Sequence, residues 1–322
     1  MARAFITGAT GQDGSYLTER LLAEGTEVHA LLQPGERPAD VDLQGVAIHR
    51  GDLTDVAEVR RLLVDLAPGE VYNLAAVSSV ARSWAEPDLT SRVNGLAAAA
   101  LLESAWQAQE KSGRPVRVVQ ASSAEMFGIP VTSPQDEETP LRPVNPYGAA
   151  KAHAHLMVDV YRRRGLHAVS AIHYNHESPR RPRHFVTRKV TATVAAIARG
   201  RADRLQLGNL DARRDWGWAP DHVDAMVRAA RADHPGDYVV ATGTSRSVRD
   251  FVAMAFAHVG IAEWESLVSV DGDLLRPQDA PELVGNPARA RRELGWAPTV
   301  AFDELVARMV DADLARLDAG RE

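Results

Sequence analysis

The sequence predicts an α/β chain: a doubly wound parallel sheet covered by helices on both faces, followed by a smaller C-terminal lobe. Three observations lead there. Short β-rich runs alternate with longer amphipathic stretches through the first half, the rhythm of repeated strand–helix–strand units. A glycine-rich segment, Gly8-Ala9-Thr10-Gly11-Gln12-Asp13-Gly14, separates the first such run from the first helical one. Near Asn175 the rhythm breaks, and Pro179, Pro182 and several arginines precede a new helical run.

Strands are expected over residues 3–7, 27–32, 46–49, 70–74, 116–121, 168–173 and 238–241. Helical spacing of apolar residues marks 15–24, 57–66 and a long Ala- and Leu-rich run over 89–111. In the second half, a helix over 188–199 is followed by a Gly/Asp/Arg-rich loop, and the Asp/Arg-rich tail after Glu304 reads as a terminal surface helix. Residues 1–174 are expected to form a dinucleotide-binding unit. Residues 175–322 are expected mainly to form a substrate-binding lobe over the cleft, with a strand near 236–242 returning to the sheet.

Bulk composition narrows the function classes. At 45% hydrophobic and 25% charged over 322 residues, a packed core is expected. A net charge of -6 argues against a nucleic-acid binder. The chain has no cysteine, which excludes disulfides, thiolate metal sites and cysteine nucleophiles. No apolar run approaches the roughly 18 residues of a membrane span, and the N-terminus enters a strand directly at Ala4–Thr7 without a signal-peptide layout. The expected location is the cytoplasm. The 11 histidines show no H-E-x-x-H spacing, so no metal site is expected.

The glycine-rich segment has the position and chemistry of a Rossmann-type dinucleotide site. Gly8 permits the tight turn, Gly11 lets backbone approach a pyrophosphate, and Gly14 lets helix and strand pack closely. Gln12 and Asp13 open the helix whose N–H groups and dipole face the phosphates. Asp52 and Leu53 end the third strand and are candidates for the adenine, the alternative for Asp52 being a helix cap that suits Thr54 better. An acid after the second strand would select a ribose 2′-hydroxyl, and an arginine a 2′-phosphate. The chain has Gln33-Pro34 there, and Arg37 is either a further candidate or a solvated loop charge, so NADP and NAD both stay open.

Tyr147-Gly148-Ala149-Ala150-Lys151 spells Y-x-x-x-K behind Pro146, a helix start that puts the phenol and the ammonium on one face. An ammonium beside a phenol is expected to lower its pKa. At the end of the fifth strand, Ser123 offers a hydroxyl to a substrate hydroxyl, and Glu125 adds a carboxylate that a simple reductase or epimerase does not need.

These segments resemble the short-chain dehydrogenase/reductases, and residues 8–17 (GATGQDGSYL), 120–128 and 147–151 resemble the GDP-mannose 4,6-dehydratases among them. More distinctive are residues 175–181 (NHESPRR), 185–191 (FVTRKVT), 208–217 (GNLDARRDWG) and 294–298 (LGWAP), so the likeness covers nearly the whole chain. The resemblance implies Ser123, Glu125, Tyr147 and Lys151 as catalytic residues, Leu74, Ala75, Ala76 and His176 beside the cofactor, and Ser78 and Asn175 at the substrate. Lys189, Arg214 and Arg276 are implied as ligands of the nucleotide diphosphate, consistent with the affinity of guanidinium forks and ammonium groups for phosphate.

The implied reaction is oxidation at carbon 4 of a GDP-hexose, removal of the carbon 5 proton with loss of the 6-hydroxyl through Glu125, and reduction at carbon 6, with NADP or NAD retained and regenerated. Homodimers or homotetramers are implied as well. Val77, Ser79, Ala124, Asp279 and Asn286 depart from the family's usual residues, which leaves the sugar and base open. Two other readings stand beside this one: a 4-epimerase or 4-reductase without need of Glu125, and a non-catalytic nucleotide-sugar or dinucleotide sensor.

Overall fold

The architecture is that of a computed structural model, which describes residues 2–36, 41–275 and 277–320. Seven strands form one parallel sheet: β1 (Arg3–Thr7), β2 (Glu27–Leu32), β3 (Ala47–Arg50), β4 (Glu70–Asn73), β5 (Arg117–Ser123), β6 (His167–His173) and, from the second half, β10 (Asp237–Val240). Between β6 and β10 lie β7 (Asn175–Glu177), β8 (Leu205–Leu207) and β9 (Arg213–Trp218), and after them come β11 (Ser245–Ser247), β12 (Val268–Val270) and β13 (Glu282–Leu283). The sheet order β10-β6-β5-β4-β1-β2-β3 reverses direction between β1 and β4. Such a switch point opens a crevice beyond the carboxyl ends of the two strands, the place where doubly wound sheets take ligands.

The helices are α1 (Gln12–Ala23), α2 (Val56–Leu66), α3 (Val80–Ala85), α4 (Pro87–Ser91), α5 (Ala97–Ser112), α6 (Pro146–Arg163), α7 (Val186–Ala198), α8 (Ala219–Arg231), α9 (Val248–His258), α10 (Ala288–Leu294) and α11 (Phe302–Asp318). One face of the sheet is covered by α1 and α8, with Leu17, Leu21, Val223 and Met226 in its core. The other face packs against α2, α5 and α6 through Val59, Leu63, Leu101, Ala105 and Val158. The second half therefore contributes a strand and a helix to the main sheet as well as its own lobe. That lobe has a separate core of α7, α9, α11 and β9, including Val190, Trp216, Phe251 and Met309.

Three expectations are corrected. The long run over 89–111 is not one helix: a π turn, Arg92–Leu96, interrupts it between α4 and α5. Asn94 in that turn is buried and exchanges both hydrogen bonds with the backbone of Val77, accepting from its N–H at 2.8 Å and donating to its carbonyl at 3.0 Å. The Gly/Asp/Arg-rich loop contains β9, the strand on which β7, β11 and β13 all pair. The C-terminal tail is an amphipathic element with one buried face, since Leu305, Val306, Met309 and Val310 are each at most 1% exposed.

Asp313 on that buried face anchors α7. Arg188 donates its Nε to both carboxylate oxygens at 2.8 and 2.9 Å, and Thr191 donates its hydroxyl at 2.7 Å. The same guanidinium reaches the carbonyls of Pro179 and Arg181 at 2.8 and 3.0 Å, tying the segment after β7 to the lobe. Both side chains of the pair are less than one-tenth exposed. Removing one partner strands a buried charge. Asp313→Ala is expected to lower the unfolding free energy by about 3–5 kcal/mol, read by urea denaturation, and a loss under about 1 kcal/mol would contradict the assignment.

Candidate active site

A cavity of about 410 Å³ opens at the switch point, between the carboxyl ends of the sheet and the second lobe. Ser123, Glu125, Tyr147 and Lys151 all line it, as do Asp13, Leu74, Ala76 and Ser78. From the second half it is lined by Asn175, His176, Lys189 and Arg214. Gly8, Gly11, Gln12, Gly14, Asp52, Leu53 and Ala75 lie outside the lining. Arg37 and Arg276 fall outside the described residues.

The glycine cradle is built by close approach. Gly8 has φ +74°, and a Cβ there would lie 2.8 Å from the Ala75 nitrogen. A Cβ on Gly14 would lie 2.1 Å from the Gly8 carbonyl oxygen, so the helix can seat on the loop only without a side chain. Gly11 is the N-cap of α1 and provides no side-chain cap, leaving the first-turn amides to a ligand. This bare, positively polarised helix start fits a dinucleotide pyrophosphate. Gln12 is buried and ties α1 to the second half, donating to the His176 carbonyl at 3.0 Å and accepting from Ser178 at 2.9 Å.

Asp13 pairs with His176 at 2.8 Å. Burial pushes the Asp13 carboxyl up, but the charge and hydrogen bond of His176, with His173 and Arg181, outweigh it and hold the carboxyl well below the usual carboxylate range. Burial opposes a charge on His176, yet Asp13 raises its pKa by charge and hydrogen bond. The His176 Nδ1 also faces the Tyr174 carbonyl at 2.8 Å, so both ring nitrogens act as donors and the ring is an imidazolium. His173 is depressed to about 3 by burial and by His176. His222, stacked on His176 at 4.2 Å, is depressed by burial and by both neighbours. The ligand-capable atoms of this trio lie within 4.8 Å of one another, a cluster that H-E-x-x-H spacing does not reveal.

Ser123, Glu125, Tyr147 and Lys151 meet where α6 abuts β5 and the turn after it. Asn145 has an extended backbone and caps α6, its Oδ1 accepting from the Gly148 N–H at 2.7 Å, with Pro146 in the first turn. Its Nδ2 donates to Glu125 Oε2 at 2.8 Å. One amide therefore serves both the helix that carries Tyr147 and the carboxylate opposite it. A Cβ on Gly148 would stand 2.3 Å from the Glu125 carbonyl oxygen, so only glycine permits the approach. Ser123 caps the short 3₁₀ turn that carries Glu125, accepting from the Glu125 N–H at 3.3 Å. Asn145 is absent from the sequence reading, although an Asn before a Pro at a helix start is a capping signal.

The expected lowering of Tyr147 is not found. Burial pushes the phenol up to about 12; the hydrogen bond with Ser123 opposes this, and Glu125 adds to it. Lys151 does not offset the rise, because its Nζ donates to the Ala121 carbonyl at 2.7 Å and stands 5.8 Å from the Tyr147 ring centre. The expected free phosphate ligand Arg214 is likewise engaged: it is buried, bonds the carbonyls of Arg213 and Ala280, and pairs with Asp279 at 2.6 Å. Thr54 is not the cap of α2; Asp55 is, and Asp52 accepts from the Thr54 N–H and hydroxyl at 2.8 and 2.7 Å. Of the departures noted above, Ser79, Ala124 and Asp279 line the cavity, whereas Val77 and Asn286 do not.

Lys151 gives the site a pH signature. Burial depresses its ammonium to about 8, against 10.5 for a free lysine, with Asp13 opposing. The charge therefore counts against folding below about pH 8, and that penalty disappears as the pH rises to about 10.5. Relative to Lys151→Met, the wild-type protein is expected to gain on the order of 3 kcal/mol of stability across this window, measured by denaturation at fixed pH values. A pH-independent difference would contradict the burial of the charge.

Comparison with known proteins follows the same lines. The family model described as GDP-mannose 4,6 dehydratase matches residues 5–309. GDP-mannose 4,6 dehydratase 1 of Arabidopsis thaliana is 43% identical, over 97% of this chain and 89% of its own length. The Homo sapiens GDP-mannose 4,6 dehydratase is 40% identical over 97% and 91%. Among solved structures, a dTDP-glucose 4,6-dehydratase from Streptomyces venezuelae with NAD bound superposes with a TM-score of 0.83 at 25% identity, covering 99% of this chain and 98% of that one. A match running from the first strand to the middle of α11, joined to a fold shared with a dehydratase of another nucleotide sugar, leads to one conclusion: the chain belongs to the GDP-mannose 4,6-dehydratase family.

Proposed function

We propose that the protein is an NAD(P)-dependent nucleotide-sugar 4,6-dehydratase that converts GDP-mannose to its 4-keto-6-deoxy product. The observation that carries this reading is the Glu125 carboxylate, held by Asn145 in the cavity that Tyr147, Ser123 and Lys151 also line. An epimerase or reductase on this scaffold has no use for a carboxylate there, and a sensor has no use for an acid–base pair.

Residues 1–174 hold the dinucleotide, with the cradle of Gly8, Gly11 and Gly14 at the pyrophosphate, Asp52 and Leu53 at the adenine, and Leu74, Ala75 and Ala76 alongside. Residues 175–322 mainly hold the substrate. An oxidised nicotinamide held in this cradle would supply the hydride exchange needed at carbons 4 and 6, and its positive charge would lower Tyr147. Tyr147 receives the proton of the 4-hydroxyl, with Ser123 bridging. Lys151 holds the cofactor ribose. The ketone at carbon 4 acidifies carbon 5, Glu125 takes that proton and passes it to the 6-hydroxyl, which leaves as water, and carbon 5 regains a solvent-exchanged proton as carbon 6 is reduced. Lys189 has no ion-pair partner among the described residues and lines the cavity, which suits it to the diphosphate. Ser78 and Asn175 position the sugar. Arg214 joins the clamp by exchanging Asp279 for phosphate. The working form is a cytoplasmic homodimer or homotetramer. No helix among the described residues is long and apolar enough to cross a membrane.

Incubation with GDP-mannose in deuterated water without added cofactor is expected to yield a product lighter by one water, with a 6-methyl signal and deuterium at carbon 5. Unchanged substrate, with NAD and NADP added in turn, would overturn the reading. Glu125→Gln is expected to lower water loss by about 100-fold or more while reduced nicotinamide still forms; full activity in that variant would favour the epimerase or reductase.

A further inference from the structure

The turn after β2 returns an acid to the place where the sequence shows none. Gln33-Pro34-Gly35-Glu36 is closed by the Glu36 N–H donating to the Gln33 carbonyl at 3.1 Å, with Gly35 at φ +81°. Proline at the second position and a positive-φ glycine at the third are what a type II turn requires. The turn folds Glu36 back over the end of β2. There its Oε2 accepts from the Gln33 N–H at 2.9 Å, and its Oε1 accepts from the Thr10 hydroxyl inside the glycine loop. Arg50, at the end of β3, fixes the same turn by donating Nη1 to the carbonyls of Gln33 and Glu36 at 3.2 and 2.6 Å. Glu36 thus lies three residues beyond the usual position in sequence, but in space it bridges the end of β2 and the cofactor cradle.

We propose that Glu36 is the residue that selects the dinucleotide, accepting from the adenosine ribose hydroxyls and excluding a 2′-phosphate, so that this chain uses NAD in preference to NADP. The chemistry is that of a carboxylate at the end of the second strand: it takes hydrogen bonds from a 2′-hydroxyl and repels the phosphate that replaces it. Thr10 and the Gln33 amide leave each Glu36 oxygen a second lone pair for the ribose. Arg50, the cation closest to a 2′-phosphate role among the described residues, has its Nη1 engaged by the backbone of the turn. The inference rests on reading the Gly8–Gly14 segment as a dinucleotide cradle, and not on the reaction carried out there.

The test is binding. Dinucleotide released from the purified protein by denaturation is identified by mass spectrometry, and protein stripped of it is titrated with NAD and NADP by calorimetry. The wild type is expected to release NAD and to bind NAD about 10- to 100-fold tighter than NADP. In Glu36→Gln that preference is expected to fall at least about tenfold, with an unchanged melting temperature because the side chain is isosteric and only half-buried. NADP bound as tightly as NAD by the wild type, or an unchanged ratio in Glu36→Gln, would overturn the inference. Binding of neither dinucleotide would sink the cradle reading and this one together. If Glu36→Gln does not fold, the wild-type ratio decides.

Discussion

The site depends on one steric constraint, the seating of the α6 N-terminus against the turn that follows β5. Only a glycine at 148 lets the helix backbone come within reach of the Glu125 carbonyl, and that approach brings Ser123 of β5, Glu125 of the 3₁₀ turn, and Tyr147 and Lys151 of α6 into one cavity. The cap on the same helix start, Asn145, is shared between the Gly148 amide and the Glu125 carboxylate. Among good N-cap residues, Ser and Asp would satisfy the helix equally well, but neither can donate an amide hydrogen to a carboxylate. The identity of this residue is therefore explained by the pairing and not by helix propensity.

A second constraint is electrostatic. Burying charge in a cavity of this kind is costly unless each group finds a partner. The cluster beneath the cradle resolves this with a single ion pair. Asp13 and His176 carry opposite charges at 2.8 Å, while His173 and His222 are held neutral against the imidazolium. Lys151 is depressed by burial against the opposing charge of Asp13, its ammonium resting on the Ala121 carbonyl. On the side of the cavity lined by the second half, Arg214 is neutralised by Asp279, and the Lys189 ammonium also lines the cavity.

Much of this was legible in the sequence because the strands of the main sheet, apart from the exposed edge strand β3, are short, buried and punctuated by Gly and Pro, and β1 and β2 run over the residues expected. The shared face of Tyr147 and Lys151 was legible for a similar reason: the two are one helical turn apart, so spacing alone puts them together. What was not legible depends on contacts between distant segments. The π turn at Arg92–Leu96 accompanies Asn94 bonding Val77, a partner no local pattern reveals. The polar tail is half-buried because Asp313 meets Arg188 from α7. The strings FVTRK and LGWAP carry structural anchors, Arg188 pairing with Asp313 of α11 and Trp296 donating its indole N–H to the Asp221 carbonyl. The acid beyond β2 was hidden by a Pro-Gly turn that places it three residues along the chain yet folds its carboxylate back onto the Gln33 amide.

The central claim is that one cavity oxidises carbon 4 and reduces carbon 6 of the same sugar molecule. The most direct measurement is a crossover experiment with GDP-mannose deuterated at carbon 4, mixed with GDP-mannose labelled only with carbon-13. The account predicts that deuterium reappears in the 6-methyl group of the molecules that carried it and in none of the carbon-13 product. Deuterium found in the carbon-13 product, or lost to solvent, would mean that the hydride leaves the site between the two steps and would contradict the account.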